Sequence, residues 1–401
     1  MPKFARMIKE LFFQHVAQTS EFPMAIEIDR AEGVYLYGPN GERWVDFISG
    51  ICVTNVGHKA PEVLEAIRTQ SERYMHAMVY GEAVLTPQVE YATELANILG
   101  PNLDHVFFGN SGAEATEGAL KVAKKFTGKT RIVSCLNAYH GSTHGAMSVS
   151  GNASMKVGYG PMLPDVHHIP YNDLEALAQI DEHTAAFVVE PIQGAGGVVM
   201  PTPGYLQAAR ARCTEVGALM ILDEIQTGFG RTGKMFAHQH FGFEPDILLL
   251  AKALGGGLPI GAFVTRGEVM RVIQSNPLLG HITTFGGHPV SCAAGLAAFR
   301  KIQSENLLQR VPELEAILLR ELKHPAIVEL RGTGLIYAVL FKDFETSDAI
   351  RAKALELGLL TIGFINIKNG LRICPPLTMT DEEMVESCHI LLKAIEQVCG
   401  E

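Results

Sequence analysis

The sequence predicts an α/β fold: a large domain on a mostly parallel sheet with helices on both faces, joined to a smaller α+β domain. Three observations carry this expectation. From Asp104 onward, short apolar runs alternate with helical periods, the pattern of parallel strands covered on both faces. Residues 306–401 break that alternation and mix strands and helices in a different order. The chain has 401 residues, 47% of them apolar and 19% charged, which suits one large core and a smaller one.

The elements follow in order. Ala25–Tyr37 alternates as a strand and meets a turn at Gly38-Pro39-Asn40-Gly41, after which Trp44–Ile48 can pair back. Pro61–Tyr74 and Pro87–Leu99 read as helices opened by proline. The apolar runs His105–Phe108, Ile132–Cys135, Ala185–Val189, Ala218–Leu222, Ile247–Leu250 and Ile260–Val264 read as parallel strands. Helices Ala113–Phe126, Tyr205–Val216 and Pro289–Ser304 supply crossovers. The last part reads as helix Pro312–Leu322, strands Ile327–Arg331 and Gly334–Phe341, helix Ser347–Glu356, strand Gly370–Cys374 and helix Asp381–Val398. The expected division is an N-terminal segment (1–57) belonging to the small domain, a large domain (58–305) and a C-terminal small domain (306–401).

Composition excludes several classes. No run of about 18 uncharged apolar residues predicts a membrane span. Net charge is −10 with no Lys/Arg block, so a nucleic-acid surface is not expected. Seven scattered cysteines without CxxC spacing predict neither a disulfide framework nor a metal site. The N-terminal stretch lacks an apolar core with a cleavage site and carries Glu10 and Glu21, so a reduced, cytoplasmic protein is expected. Glycine is in excess: 26 of the 40 lie between Gly109 and Gly287, where backbone must turn tightly or approach a ligand.

The glycine motifs differ in worth. Gly228-Phe-Gly230-Arg-Thr-Gly233 fits GxGxxG, but no clear helix or ribose-binding acid follows. A P-loop reading fails because Met235 stands where Ser or Thr must hold magnesium. Gly109-Asn-Ser-Gly112 follows a strand and opens a helix, so its free N–H groups suit an anion; Ser111 as a plain N-cap is the alternative.

Two strands end in reactive side chains. Ala218–Leu222 runs into Asp223-Glu224, and Ile247–Leu250 into Ala251-Lys252 followed by three glycines. Ligands gather at the carboxyl ends of such strands. A partly desolvated lysine there has a lowered pKa and a nucleophilic amine. An anion cradle, a nucleophilic lysine and a buried aspartate together suit pyridoxal 5′-phosphate, whose ring nitrogen the aspartate keeps protonated. The plainer readings are a turn cap for Asp223 and a surface lysine for Lys252.

The chain resembles the class III pyridoxal-phosphate-dependent aminotransferases, the family of ornithine, acetylornithine, 4-aminobutyrate and alanine–glyoxylate aminotransferases. The resemblance runs from about Gly33 to Pro376 and is carried by Leu222-Asp-Glu-Ile-Gln-Thr-Gly-Phe-Gly-Arg-Thr-Gly233 and Ala251-Lys-Ala-Leu-Gly-Gly-Gly-Leu-Pro-Ile-Gly261. It implies fold type I, with a seven-stranded type of sheet. It also implies a transaminase that moves an amino group from an amino acid or ω-amine to a 2-oxo acid (pyruvate, glyoxylate or 2-oxoglutarate) with ping-pong kinetics. Roles then fall on matching positions. Lys252 would bind the cofactor covalently, Asp223 would pair with its ring nitrogen, and Gln226 would bond its ring hydroxyl. Ser111, Gly112 and Ala113 would hold the phosphate, and Tyr139 would stack on the ring. His140 and Glu190 are further implied cofactor contacts. Thr284 would reach the phosphate of a neighbouring subunit, implying a homodimer. Arg372 would grip a substrate carboxylate, and Ile51 stands where some relatives place a substrate-contacting tyrosine. Core packing for Tyr139, loop capping for Thr284 and a strand-edge ion pair for Arg372 are the alternatives.

Two departures bear on the donor. Ornithine-type relatives carry Gln-Gly-Glu where this chain has Gln193-Gly194-Ala195, and Gly-Arg-Thr where it has Gly141-Ser142-Thr143. Both weaken an ornithine or acetylornithine reading and favour a donor with one carboxylate or a simple amine, with 4-aminobutyrate or alanine ahead of acetylornithine. A decarboxylating transaminase of the dialkylglycine type, an aminomutase and, outside enzymes, a cofactor-binding pseudoenzyme are the competing readings. The intact Lys252, Asp223 and Arg372 count against the last.

Overall fold

The computed structural model describes residues 2–400. Seven strands form the central sheet: β1 (His105–Gly109), β2 (Arg131–Cys135), β3 (Val166–Ile169), β4 (Thr184–Val189), β5 (Leu219–Asp223), β6 (Ile247–Leu250) and β7 (Gly261–Thr265), in the order β1-β7-β6-β5-β4-β2-β3. Neighbours from β6 through β5, β4 and β2 to β3 pair in parallel. Alternate side chains divide between two cores. Val133, Phe187, Met220, Leu222 and Leu248 join helices Tyr205–Val216 and Pro289–Ser304 on one face. Ile132, Ala186, Val188, Ile221 and Leu249 join helix Gly112–Thr127 on the other. A sheet buried on both sides has no polar face to show, which is why its strands read as unbroken apolar runs.

Three expectations need correction. Ile260–Val264 was expected to be parallel, yet β7 runs antiparallel to both β1 and β6. The connection from Ala251 to Ile260 is shorter than the dozen or so residues a parallel crossover needs. Ala25–Tyr37 is not one strand: Arg30–Glu32 and Tyr35–Tyr37 form a hairpin about Gly33, and Tyr35–Tyr37 then pairs with Arg43–Asp46. The helix expected from Pro312 begins at Leu307, because Leu307 and Val311 are buried and extend the apolar stripe past the proline.

Two smaller sheets flank the central one. Leu359–Leu360 pairs in parallel with Arg43–Asp46, tying the late part of the chain to the early part. Glu329–Thr333, Ile336–Leu340 and Gly370–Ile373 form a three-stranded antiparallel sheet that carries Arg372 opposite Ala338. Helices Phe344–Glu356 and Asp381–Cys399 pack together beside them. Among the described residues no helix is long and apolar enough to cross a membrane.

Candidate active site

The carboxyl ends of β1, β2, β4, β5 and β6 open on one edge of the sheet, where a cavity of about 610 Å³ lies, within the roughly 300–1,000 Å³ common for small-molecule sites. The antiparallel β7 starts at the same edge, since Gly261 pairs with Gly109. Ser111 and Gly112 follow β1, Tyr139 and His140 follow β2, Glu190 follows β4, Asp223 ends β5, and Lys252 follows β6; all line the cavity with Ala113 and Gln226. Ten of the twelve residues singled out in the sequence are thus brought to one place or into contact with it, counting Arg372 through Gln226.

Two are not. Ile51 is 38% exposed and does not line the cavity, whereas Val53 does. The backbone explains this: Ser49, Gly50, Ile51 and Cys52 all have positive φ, so the chain makes a left-handed turn that points Val53 inward instead. Thr284 is exposed and lies outside its own chain's cavity.

Asp223 is 4% exposed. Its Oδ2 meets His140 Nδ1 at 2.7 Å, and its Oδ1 accepts the Ile225 N–H at 3.0 Å. It therefore makes a turn cap and a buried acid–imidazole pair at once. Burial pushes the His140 pKa down, but the Asp223 hydrogen bond and the charges of Asp223 and Glu190 outweigh it and leave the imidazole raised. Glu190 accepts N–H bonds from Gly194 (3.2 Å) and Tyr139 (3.4 Å). Burial pushes its carboxyl up to about 7, against the His140 charge and these N–H groups.

Lys252 is partly buried and sits at φ +51°, an uncommon backbone conformation for a lysine. Burial lowers its pKa, and the nearby Arg372 charge adds to the effect, while Cys52, Asp223 and Glu190 oppose it. The amine is thereby available nearer neutral pH. Ser111 is the N-cap of helix Gly112–Thr127, its Oγ accepting from Glu114 N at 3.2 Å. The first-turn N–H groups of Gly112 and Ala113 have no partner within the helix and face the cavity end where the dipole favours an anion. A Cβ on Gly112 would come within 2.7 Å of the Ile225 Cδ1 tip, which would have to shift to admit it. The Tyr139 hydroxyl and Ser142 Oγ are 3.0 Å apart.

The chain matches the family model described as aminotransferase class-III over residues 16–395. It belongs to the class III aminotransferases. It is 40% identical over 385 residues to a putrescine aminotransferase of Pectobacterium atrosepticum, covering 90% of this chain and 81% of that protein. It is 38% identical over 388 residues to an acetylornithine aminotransferase of Caldanaerobacter subterraneus subsp. tengcongensis, covering 93% and 95%. The crystal structure of ornithine aminotransferase from Toxoplasma gondii ME49 superposes with a TM-score of 0.90 at 34% identity, over 98% of this chain and 95% of that one.

This aminotransferase is a pyridoxal 5′-phosphate enzyme that transfers an amino group to a 2-oxo acid. The residues present fit the cofactor. The site offers a bare-backbone anion cradle at Gly112, a desolvated amine at Lys252 and a buried carboxylate at Asp223. It also holds a buried His140 Nε2 with no protein partner.

Sequence reasoning missed Asn110, Ile225 and Leu258–Ile260 in the cavity wall. Their positions beside Ser111, Asp223 and Lys252 were the available signal. It also missed Arg231. The glycine run that mimics a nucleotide motif delivers this fully buried guanidinium to Leu335 O (2.9 Å), Pro375 O (2.5 Å), Ser49 Oγ (3.0 Å) and Asn55 Oδ1 (2.5 Å).

Proposed function

We propose that this aminotransferase prefers simple amines and short amino acids over ornithine-type diamino acids as donors and passes the amino group to a 2-oxo acid. The observation that carries this is the cavity wall: Lys252 is its only Lys or Arg among the described residues, and Arg372 lies behind Gln226. Ornithine and acetylornithine carry their one carboxylate distant from the amino group transferred, and Ser142, where such relatives carry an arginine, offers no cation to hold it. The putrescine aminotransferase among the relatives fits a donor with no carboxylate at all.

When bound, the cofactor supplies an aldehyde that holds the amino group and a ring that withdraws electrons from the substrate carbon. The protein's residues do the rest. Gly112, Ala113 and Ser111 would hold its phosphate at a helix N-terminus. Tyr139 would pack against its ring, and Gln226 would bond its ring hydroxyl. Asp223, held by His140, would keep its ring nitrogen protonated, and Glu190 lines the same polar wall. Lys252 would hold it covalently, and the Lys252 amine, its pKa lowered by burial, would serve as the proton carrier at the substrate carbon.

The active unit is a homodimer in which Thr284 of each copy reaches the phosphate site of the other. The Thr284 loop supports this: Leu278, Leu279, Ile282 and Phe285 are exposed by 78%, 52%, 44% and 56%, an apolar patch a monomer rarely leaves uncovered. A reducing, cytoplasmic setting suits the six buried free thiols.

The test is a half-reaction panel. The holoenzyme is mixed with single donors without oxo acid, and loss of the visible cofactor absorbance is followed. Putrescine, 4-aminobutyrate and alanine are expected to react faster than acetylornithine and ornithine. Acetylornithine or ornithine as the best donor would overturn the assignment.

A further inference from the structure

Helix Gly112–Thr127 does more than begin at the anion cradle. Its early turns also hold the loop after β2, which brings Tyr139, His140, Gly141 and Ser142 to the cavity wall. Gly141 lies flat on Ala113: its φ is +131°, and a Cβ there would stand 2.9 Å from Ala113 Cα. The buried Thr116 hydroxyl lies 3.0 Å from His140 O and 3.0 Å from Gly112 O. Glu117 comes next along the helix. Its Oε1 accepts from Thr143 Oγ1 (2.5 Å), Gly145 N (2.8 Å) and Ala146 N (3.2 Å).

These donors belong to the start of helix His144–Val149, whose N-cap residue, Thr143, makes no cap bond with its own side chain. Free N–H groups at a helix start need an acceptor, and Glu117 supplies it from a different helix. A carboxylate holds such groups more strongly than a neutral oxygen does. Gly145 leaves room for it: a Cβ there would stand 2.7 Å from Glu117 Cδ, and the carboxylate would have to leave its donors. Glu117 is partly buried and does not line the cavity, so it acts through the loop.

We propose that Glu117 is a positioning residue that fixes the Tyr139–Ser142 loop to the cradle helix and thereby sets how Tyr139 meets the cofactor ring. This rests on the placement of Tyr139 proposed above and deepens it. One rigid helix then fixes both the phosphate end of the site and the side chain that packs on the ring. Ser142 follows, since its hydroxyl stands 3.0 Å from that of Tyr139. Loss of the Glu117 bonds frees the far end of the loop while the cradle stays intact.

In the holoenzyme, Glu117→Ala is expected to lower kcat/KM about tenfold or more, for amine donors and oxo acids alike, because both meet the same ring. The visible circular dichroism of the bound cofactor, which reads the asymmetric packing about its ring, is expected to shrink in the same variant. Glu117→Gln is expected to keep most of both, because all three bonds fall on one oxygen and an amide carbonyl can accept them. Gly145→Ala is expected to copy Glu117→Ala in the wild type. In a Glu117→Ala background it should cost less than about twofold, since no carboxylate is left to displace. Thr380→Ala controls for plain loss of stability. It removes the cap of helix Asp381–Cys399, outside the cavity wall, and should lower the unfolding midpoint of the cofactor-free protein without changing the dichroism. Wild-type dichroism and kcat/KM in Glu117→Ala, full additivity with Gly145→Ala, or the same dichroism change in Thr380→Ala overturns the positioning role. Should Glu117→Ala fail to fold, Gly145→Ala decides through the same two readouts. Tyr139→Ala separates this role from the placement beneath it. If that variant leaves the dichroism unmoved, the placement of Tyr139 fails and the positioning role with it. If it shrinks the dichroism and Glu117→Ala does not, the positioning role fails alone.

Discussion

Glu190, Asp223 and His140 form one buried charged cluster, although 83 residues separate His140 from Asp223 and a further strand supplies Glu190. The Glu190 carboxyl is raised from the ordinary 4.5 to about 7, chiefly by burial. A raised folded-state pKa means the folded protein binds that proton more tightly than the unfolded chain. The associated stability is full below about pH 4.5 and is lost as pH rises through about 7. In the cofactor-free protein, Glu190→Gln removes this loss. Its stability relative to wild type is expected to improve by about 3 kcal/mol between pH 5 and pH 8, read from urea midpoints at the two pH values. A gap that stays constant with pH would show that Glu190 is already ionised throughout. Lys252 and Asp223 were legible in the sequence because each follows an apolar run at a strand's carboxyl end. The contacts of His140 and Glu190 were not, because nothing local marks which strand ends will be neighbours. The resemblance implied a carboxylate-binding Arg372, but its neutral partner Gln226 was visible only in the structure.

Elements show the same division between local and long-range causes. The strands of the central sheet were readable except β3, Val166-His-His-Ile169. It lies at the edge of the sheet and needs no continuous apolar run, so two histidines hid it. The left-handed turn Ser49–Cys52 was also invisible, since a β-branched isoleucine at φ +69° runs against its own preference. Asp46 holds the turn by accepting the N–H groups of Ile48 (3.3 Å) and Gly50 (2.9 Å), with His58 on its other side (2.9 Å). Arg231 closes it from above by donating to Ser49 Oγ. Relief of the strain in Ile51→Gly is expected to raise thermal stability, by about 1 kcal/mol. Arg231→Lys has the opposite effect. One ammonium cannot reach four acceptors in a fixed fork, and buried acceptors left unpaired cost about 1–3 kcal/mol each. A fall of roughly 3 kcal/mol or more is expected in denaturation experiments, and an unchanged midpoint would mean that the contacts are redundant.

The whole molecule explains two compositional oddities. Charge is low at 19% because both faces of the central sheet are buried and, in the dimer reading, a further apolar face is covered. Glycine gathers between Gly109 and Gly287 because that stretch holds turns at the carboxyl edge of the sheet that line the cavity. The fold class was readable from alternation alone; the direction of β7 was not, since it depends on the length of a loop rather than on any residue in the strand. Covering the Thr284 loop should be essential to activity. Ile282→Asp combined with Phe285→Asp is expected to give a monomer by light scattering, with turnover lost together with the dimer. An active monomer would remove Thr284 from the neighbour's site.

The assignment of Lys252 stands beneath all of these. Reduction of the holoenzyme with borohydride, followed by proteolysis and mass mapping, reads directly which side chain holds the cofactor. The pyridoxyl mass is expected on the peptide containing Lys252 and on no other. A label on a different lysine, or none on a protein that retains its visible absorbance, would contradict the site described for this chain.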